Sequence, residues 1–128
     1  MKIGLDIHGV IDRQPAFFSF LSYTLMGAGH EVHIITGKKI TKKLISRLRK
    51  YKMVWTKLHS ITDFNEKRGV KVKYKTPNNP VMDPRAWNSA KARICKEEGI
   101  DTHFDDSHVY GNWFKRLKVK TVYIQIKN

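Results

Sequence analysis

Three short apolar runs in this chain end in residues able to do chemistry. Leu5 is followed by Asp6, Ile35 by Thr36-Gly37, and Phe104 by Asp105-Asp106. In open α/β sheets ligands gather beyond the carboxyl ends of the strands, so these groups are expected to meet there. Carboxylates brought together repel one another unless a cation neutralises them, and hard oxygen ligands favour magnesium over zinc or copper. Lys91, one predicted helix before the acid pair, adds a fixed positive charge. The set suits a phosphate group: metal, lysine and hydroxyl spread its charge while one carboxylate attacks phosphorus.

The elements that must position these residues follow from the pattern. Lys2 to Asp6 reads as a short buried strand, followed by a turn at His8-Gly9-Val10. A helix is predicted from Pro15 to Gly27, with Phe17, Phe18, Leu21 and Leu25 as its apolar stripe. Glu31 to Ile35 is the next strand, ending at Thr36-Gly37. Thr41 then N-caps a basic helix that turns Leu44, Ile45 and Leu48 to the core. Met53 to Trp55 is read as a third strand, and Ile61 to Arg68 as a short helix stopped by Gly69. Val70 to Tyr74 is read as an exposed strand or half a hairpin, before a turn-rich loop at 76–80. Asp83-Pro84 opens a helix that ends near Gly99, Thr102 to Phe104 leads into the acid pair, and Thr121 to Ile126 is a final strand. Strands alternating with helices predict an α/β fold: one Rossmann-like domain over 1–128, with a mainly parallel sheet flanked by helices.

Composition narrows the setting. No run approaches the ~20 apolar residues that span a bilayer, so no membrane partner is expected. Asp6 interrupts the first apolar run, which argues against a signal peptide. Cys95 is the only cysteine, so no internal disulfide can form, and a cytoplasmic setting fits. The formal net charge is +14, with lysines and arginines concentrated between Lys38 and Lys75. Such a field attracts polyanions and phosphorylated small molecules alike, and it also serves solubility.

The same residues resemble the haloacid dehalogenase superfamily. Leu5-Asp6-Ile7-His8-Gly9-Val10 is similar to its first motif, Ile34-Ile35-Thr36-Gly37 to its second, and Lys91 to the lysine of its third. His103-Phe104-Asp105-Asp106-Ser107 is similar to the fourth in its paired-aspartate form. The resemblance spans Lys2 to Ser107. It implies that Asp6 attacks phosphorus to form an aspartyl-phosphate, and that Mg²⁺ is held by Asp6, the main-chain carbonyl of His8 and the acid pair, with Asp105 the direct ligand. It further implies that Thr36 and the Gly37 amide bind phosphoryl oxygens, and that Lys91 bridges nucleophile and phosphate. Members of the family usually carry a second aspartate where this chain has His8. Three outcomes stand open there: a working histidine acid/base, slow turnover, or a site that mainly binds phosphate.

Other polar residues are read as structural. His30 and His33 flank a strand, His108 starts a helix, Asp12 belongs to the turn after Asp6, and Cys95 packs. Trp55, Trp87 and Trp113 are read as core or rim. About 30 residues separate Asp6 from Thr36, too few for a large substrate-selecting cap, although Val70 to Lys75 can form a small flap. The expectation is an open, magnesium-dependent phosphomonoesterase, with a nucleotidase as one form, acting on a phosphorylated small molecule or nucleotide. Two alternatives are a 3′- or 5′-end phosphatase on nucleic acid, and a degenerate relative that binds nucleic acid or phosphate with little turnover.

Overall fold

A computed structural model describes the whole chain, Met1–Asn128. Five strands form one parallel sheet: β1 (Lys2–Leu5), β2 (Glu31–Thr36), β3 (Lys57–Ser60), β6 (Thr102–Asp105) and β7 (Val122–Gln125), in the order β3-β2-β1-β6-β7. Succession runs outward from β1 to β3 on one side and from β6 to β7 on the other. The order therefore reverses between β1 and β6, which opens a crevice at their carboxyl ends. The fold is α/β and Rossmann-like, as the alternation of elements predicts.

The central strands β1 and β2 are short and buried on both faces, so adjacent residues serve opposite cores. Ile34 packs with Leu5, Val32 and Phe18 beneath α1 (Pro15–Gly27) and α2 (Lys42–Lys50). Ile35 points the other way, toward Ile94, Cys95 and Phe114 of α4 (Pro84–Glu98) and α5 (His108–Arg116). Between β3 and α4 lie α3 (Ile61–Lys67) and an antiparallel hairpin of β4 (Lys73–Thr76) and β5 (Asn79–Val81). No helix is long and apolar enough to cross a membrane.

Capping explains where the helices begin. The Thr41 hydroxyl accepts from the Leu44 amide at 3.1 Å, and the Asp83 carboxylate from the Ala86 amide at 3.1 Å, with Pro84 in the first turn. The third strand departs from expectation. Met53 is buried against α2, its amide bonded to the Leu48 carbonyl, and pairing with β2 starts only at Thr56, which exchanges two bonds with Val32. Met53 to Trp55 is thus an apolar connection into the core, and the sheet takes the less apolar Lys57–Ser60. Phe17 also departs from the α1 stripe and faces solvent, leaving Phe18 to fill the core. The hairpin lies a few residues beyond Val70 to Tyr74 and draws Asn79-Pro80 into its second strand.

α2 carries five lysines and arginines in nine residues and docks through Leu44 and Leu48. Leu48→Ala, at a fully buried position, is expected to lower unfolding free energy by about 2–5 kcal/mol. Urea denaturation measures it, and a loss near zero would mean that α2 is not held by this core.

Candidate active site

The crevice between β1 and β6 is where the predicted residues meet. Asp6 directly follows β1 and Asp105 ends β6, while Lys91 enters from α4. The Lys91 ammonium is 3.0 Å from Asp6 Oδ1 and 2.6 Å from Asp105 Oδ2, with only 1% of the residue exposed. It also sits 4.6 Å from the centre of the Tyr110 ring, a cation–π placement. Asp6 Oδ1 further accepts from the Ile7 amide at 2.8 Å. Both of those bonds fall on one oxygen, so Oδ2 is left without a partner on a residue that lines the cleft.

Asp105 is more fully engaged. Its Oδ2 also receives His103 Nε2 at 3.0 Å, and its Oδ1 the Ser107 amide at 3.2 Å. These bonds decide how the two acids share charge. Burial pushes the Asp6 carboxyl up from 3.8 to about 7, against the pull of Lys91 and reinforced by the charge of Asp105. Burial would raise Asp105 as well, but the His103 bond and the Lys91 charge outweigh it and hold that carboxyl below its usual range. Burial lowers the His103 pKa and favours neutral imidazole, which donates from Nε2. From sequence His103 figures only as the first residue of the run that resembles the fourth motif, with no role of its own.

Thr36 and Gly37 line the same cleft from the end of β2. A side chain at Gly37 would place its Cβ 2.8 Å from the Trp87 ring, so this close passage of backbone against indole needs glycine. The loop is pinned from α3: Thr62 Oγ1 donates to the Gly37 carbonyl at 2.8 Å, and the Ile40 amide donates to Asp63 at 3.0 Å. Trp87 in turn donates to the Tyr110 hydroxyl at 2.9 Å, and both residues line the cleft, so Trp87 is on the rim.

The turn after Asp6 is organised by a residue read from sequence as ordinary. Asp12 accepts from the Gly9 amide at 2.8 Å and lies 3.2 Å from His8 Nδ1, with Arg47 at 3.9 Å. The His8 side chain is 93% exposed, so Asp12 is its one anchor. Gly9 has φ of 78°, and a Cβ there would lie 2.0 Å from Asp106 Oδ2. The turn therefore lies directly against Asp106. Asp12 follows the first motif at a spacing that a search for clustered acids passes over.

Oxygens of Asp6, Asp105 and Asp106 lie within 4.8 Å of one another. Opposite ligands of one magnesium ion stand about 4.2 Å apart, so small side-chain adjustments would let the three share an ion. The donor set is all oxygen, as magnesium prefers. Asp106 and Asp6 line the cleft, whereas Asp105 lies behind them, committed to Lys91 and His103. The cleft thus presents Asp106 where sequence favoured Asp105 as the direct ligand.

A second cluster joins His33, His59 and Glu98. The His33 and His59 rings are within 7° of parallel, with centroids 5.2 Å apart and facing nitrogens at 2.9 Å. That geometry is a head-on hydrogen bond between rings, and Glu31 holds the far nitrogen of His33 at 2.9 Å. His33, read from sequence as structural, is thus buried with both ring nitrogens bonded. His30 lies 2.9 Å from the terminal amine, His108 begins α5, and Cys95 is buried in the α4 core with its thiol pKa pushed up by burial.

The cleft is about 440 Å³, and Asn78, Asn79 and Pro80 of the hairpin form part of its wall. Compared with family models, with characterised proteins and with solved structures, the chain matches none.

Two stability outcomes follow. Lys91→Met leaves two buried carboxylates without their cation and is expected to cost about 3–5 kcal/mol at neutral pH, read by urea denaturation. Asp6 has a folded-state pKa above its unfolded one, so its contribution is complete below about pH 4 and is lost as pH rises toward 7. In chelator, Asp6→Asn should therefore raise the melting temperature more at about pH 8 than at about pH 5. Equal shifts at both would show that Asp6 carries no raised pKa.

Proposed function

We propose that this protein is a magnesium-dependent phosphomonoester hydrolase in which Asp6 is the nucleophile, in keeping with its resemblance to the haloacid dehalogenase superfamily. The two oxygens of Asp6 carry the proposal: Oδ1 is fixed by Lys91 and the Ile7 amide, while Oδ2 has no partner and Asp6 lines the cleft. A fixed carboxylate with one open oxygen is oriented for attack.

In the proposed sequence Oδ2 attacks phosphorus as the bond to the leaving oxygen breaks, giving an aspartyl-phosphate. His8, as imidazolium, gives its proton to the leaving oxygen. The neutral imidazole then takes a proton from a water that attacks phosphorus, and Asp6 is released as carboxylate. Asp12 orients the imidazole through the 3.2 Å approach to Nδ1. Thr36, the Gly37 amide and Lys91 surround the phosphoryl oxygens and meet the charge that develops on them. Asp6, Asp106, Asp105 and the His8 carbonyl would hold Mg²⁺, which supplies positive charge to the phosphoryl group when bound.

Mononucleotides and simple phosphoesters should release phosphate with Mg²⁺ and not with chelator, and Asp6→Asn should abolish release. Phosphate release by Asp6→Asn at the wild-type rate would remove Asp6 from the mechanism. His8→Ala should lower kcat by about 10²-fold or more on alkyl phosphates, whose leaving group needs a proton, and much less on p-nitrophenyl phosphate. Equal losses on both would exclude His8 as the proton donor. A protein that binds phosphate without turnover would show tight Mg²⁺-dependent phosphate binding and no release from any substrate.

A further inference from the structure

The cleft does not end at the phosphoryl site. Past Lys38 it continues between α2 and the hairpin into a second recess of about 150 Å³, and Lys38, Arg47 and Asn78 line both. Lys39, Lys43 and Tyr74 belong to the recess alone. Four cations line it (Lys38, Lys39, Lys43 and Arg47) and no carboxylate does. Lys39 meets Glu66 at 3.5 Å and Arg47 lies 3.9 Å from Asp12, while Lys38 and Lys43 have no acidic partner.

This concentration of charge works against the fold. Helix α2 reads Lys-Lys-Leu-Ile-Ser-Arg-Leu-Arg-Lys, with five cations and no acid. Its Lys43–Arg47 and Arg47–Lys50 pairs set like charges one turn apart, which destabilises a helix. A solvated face made for solubility mixes both signs. An anion bound along the recess would relieve the repulsion. One phosphate at Asp6 cannot do so, because the recess lies beyond it; a ligand with further phosphates can.

The aromatic groups say which polyanion. Tyr74 is 41% exposed in the recess with Lys39 over one face of its ring, and Trp87 stands at the cleft beside Tyr110, whose ring is met by Lys91, so aromatic rings alternate with the cations along the path. A basic groove interleaved with aromatic side chains tracks a nucleic-acid backbone while offering faces to its bases. Asp6 is only 6% exposed, so the reacting phosphate must be inserted. A flexible single strand can thread its end inward, whereas a base-paired end must first fray.

We propose that the site takes the terminal phosphate of a single-stranded nucleic acid, with the adjoining phosphodiesters lying against Lys38, Lys39, Lys43 and Arg47. The assignment rests on Asp6 marking the phosphoryl site. Hydrolysis of small phosphoesters tests that premise separately, and the binding measurement below decides the groove whether or not turnover is seen.

The experiment uses full-length Asp6→Asn with Mg²⁺ and fluorescence anisotropy. Short single-stranded oligonucleotides bearing a 5′-phosphate, a 3′-phosphate or neither are compared, with a mononucleotide as competitor. One phosphorylated end should bind at least about tenfold more tightly than both the unphosphorylated strand and the mononucleotide at low salt. Lys39→Ala/Lys43→Ala should weaken that strand by about tenfold and reduce the salt slope by about 1.4, from ~0.7 per phosphate contact, leaving the mononucleotide within about twofold. Three results would overturn the proposal: equal binding without the end phosphate, equal losses for strand and mononucleotide in the double variant, or equal competition by polyphosphate or an acidic peptide.

Discussion

The structure depends on one buried ammonium. Lys91 lies between Asp6 and Asp105, and those three side chains come from α4, from the turn after β1 and from the end of β6. Removing such charges from water is expensive, and only close pairing repays it. The separations of 3.0 and 2.6 Å supply that pairing. The cluster nevertheless holds one cation for two carboxylates, and Asp106 adds a third acid nearby. The raised pKa of Asp6 favours a proton there, which eases the excess, and a divalent cation would relieve it more completely. The feature that strains the fold is thus the one that prepares the proposed chemistry.

Sheet order explains why these groups meet. Because succession reverses between β1 and β6, Asp6 and Asp105 end neighbouring strands although about a hundred residues separate them. β2, on the other side of β1, brings Thr36 and Gly37 to the same edge. Each group then has a support set at some distance from the cleft. His103 holds Asp105, Asp12 holds His8 and Gly9, and the start of α3 holds the Gly37 loop. Rigid placement of Oδ1 on Asp6, with Oδ2 unpartnered, is the product of this arrangement.

Much of this was legible in the sequence because it rests on local signals. Apolar runs ending at Asp6, Thr36 and Asp105 marked strand ends, and Thr41 and Asp83-Pro84 marked helix starts. Where tertiary packing overrode local pattern, expectation failed. Met53 to Trp55 is apolar enough for a strand but is consumed by the α2 core, and Phe17 continues a stripe that has no partner on its side. The supports were the hardest to foresee. His103 and Asp12 carry no spacing that separates them from ordinary polar residues, and their importance appears only once β6 and the first turn are folded. That Asp106 lines the cleft while Asp105 is held behind it by Lys91 and His103 likewise appears only with burial in view, since the two are adjacent in sequence.

The proposed mechanism requires that Asp6 itself become phosphorylated. Wild-type protein incubated with Mg²⁺ and a phosphoester substrate, quenched in acid and reduced with borohydride, converts any aspartyl-phosphate to homoserine that peptide mass spectrometry can locate. Homoserine at position 6, formed with Mg²⁺ and absent with chelator, is the expected result. Continued phosphate release with no modified Asp6, or with the modification at another carboxylate, would exclude Asp6 as the nucleophile.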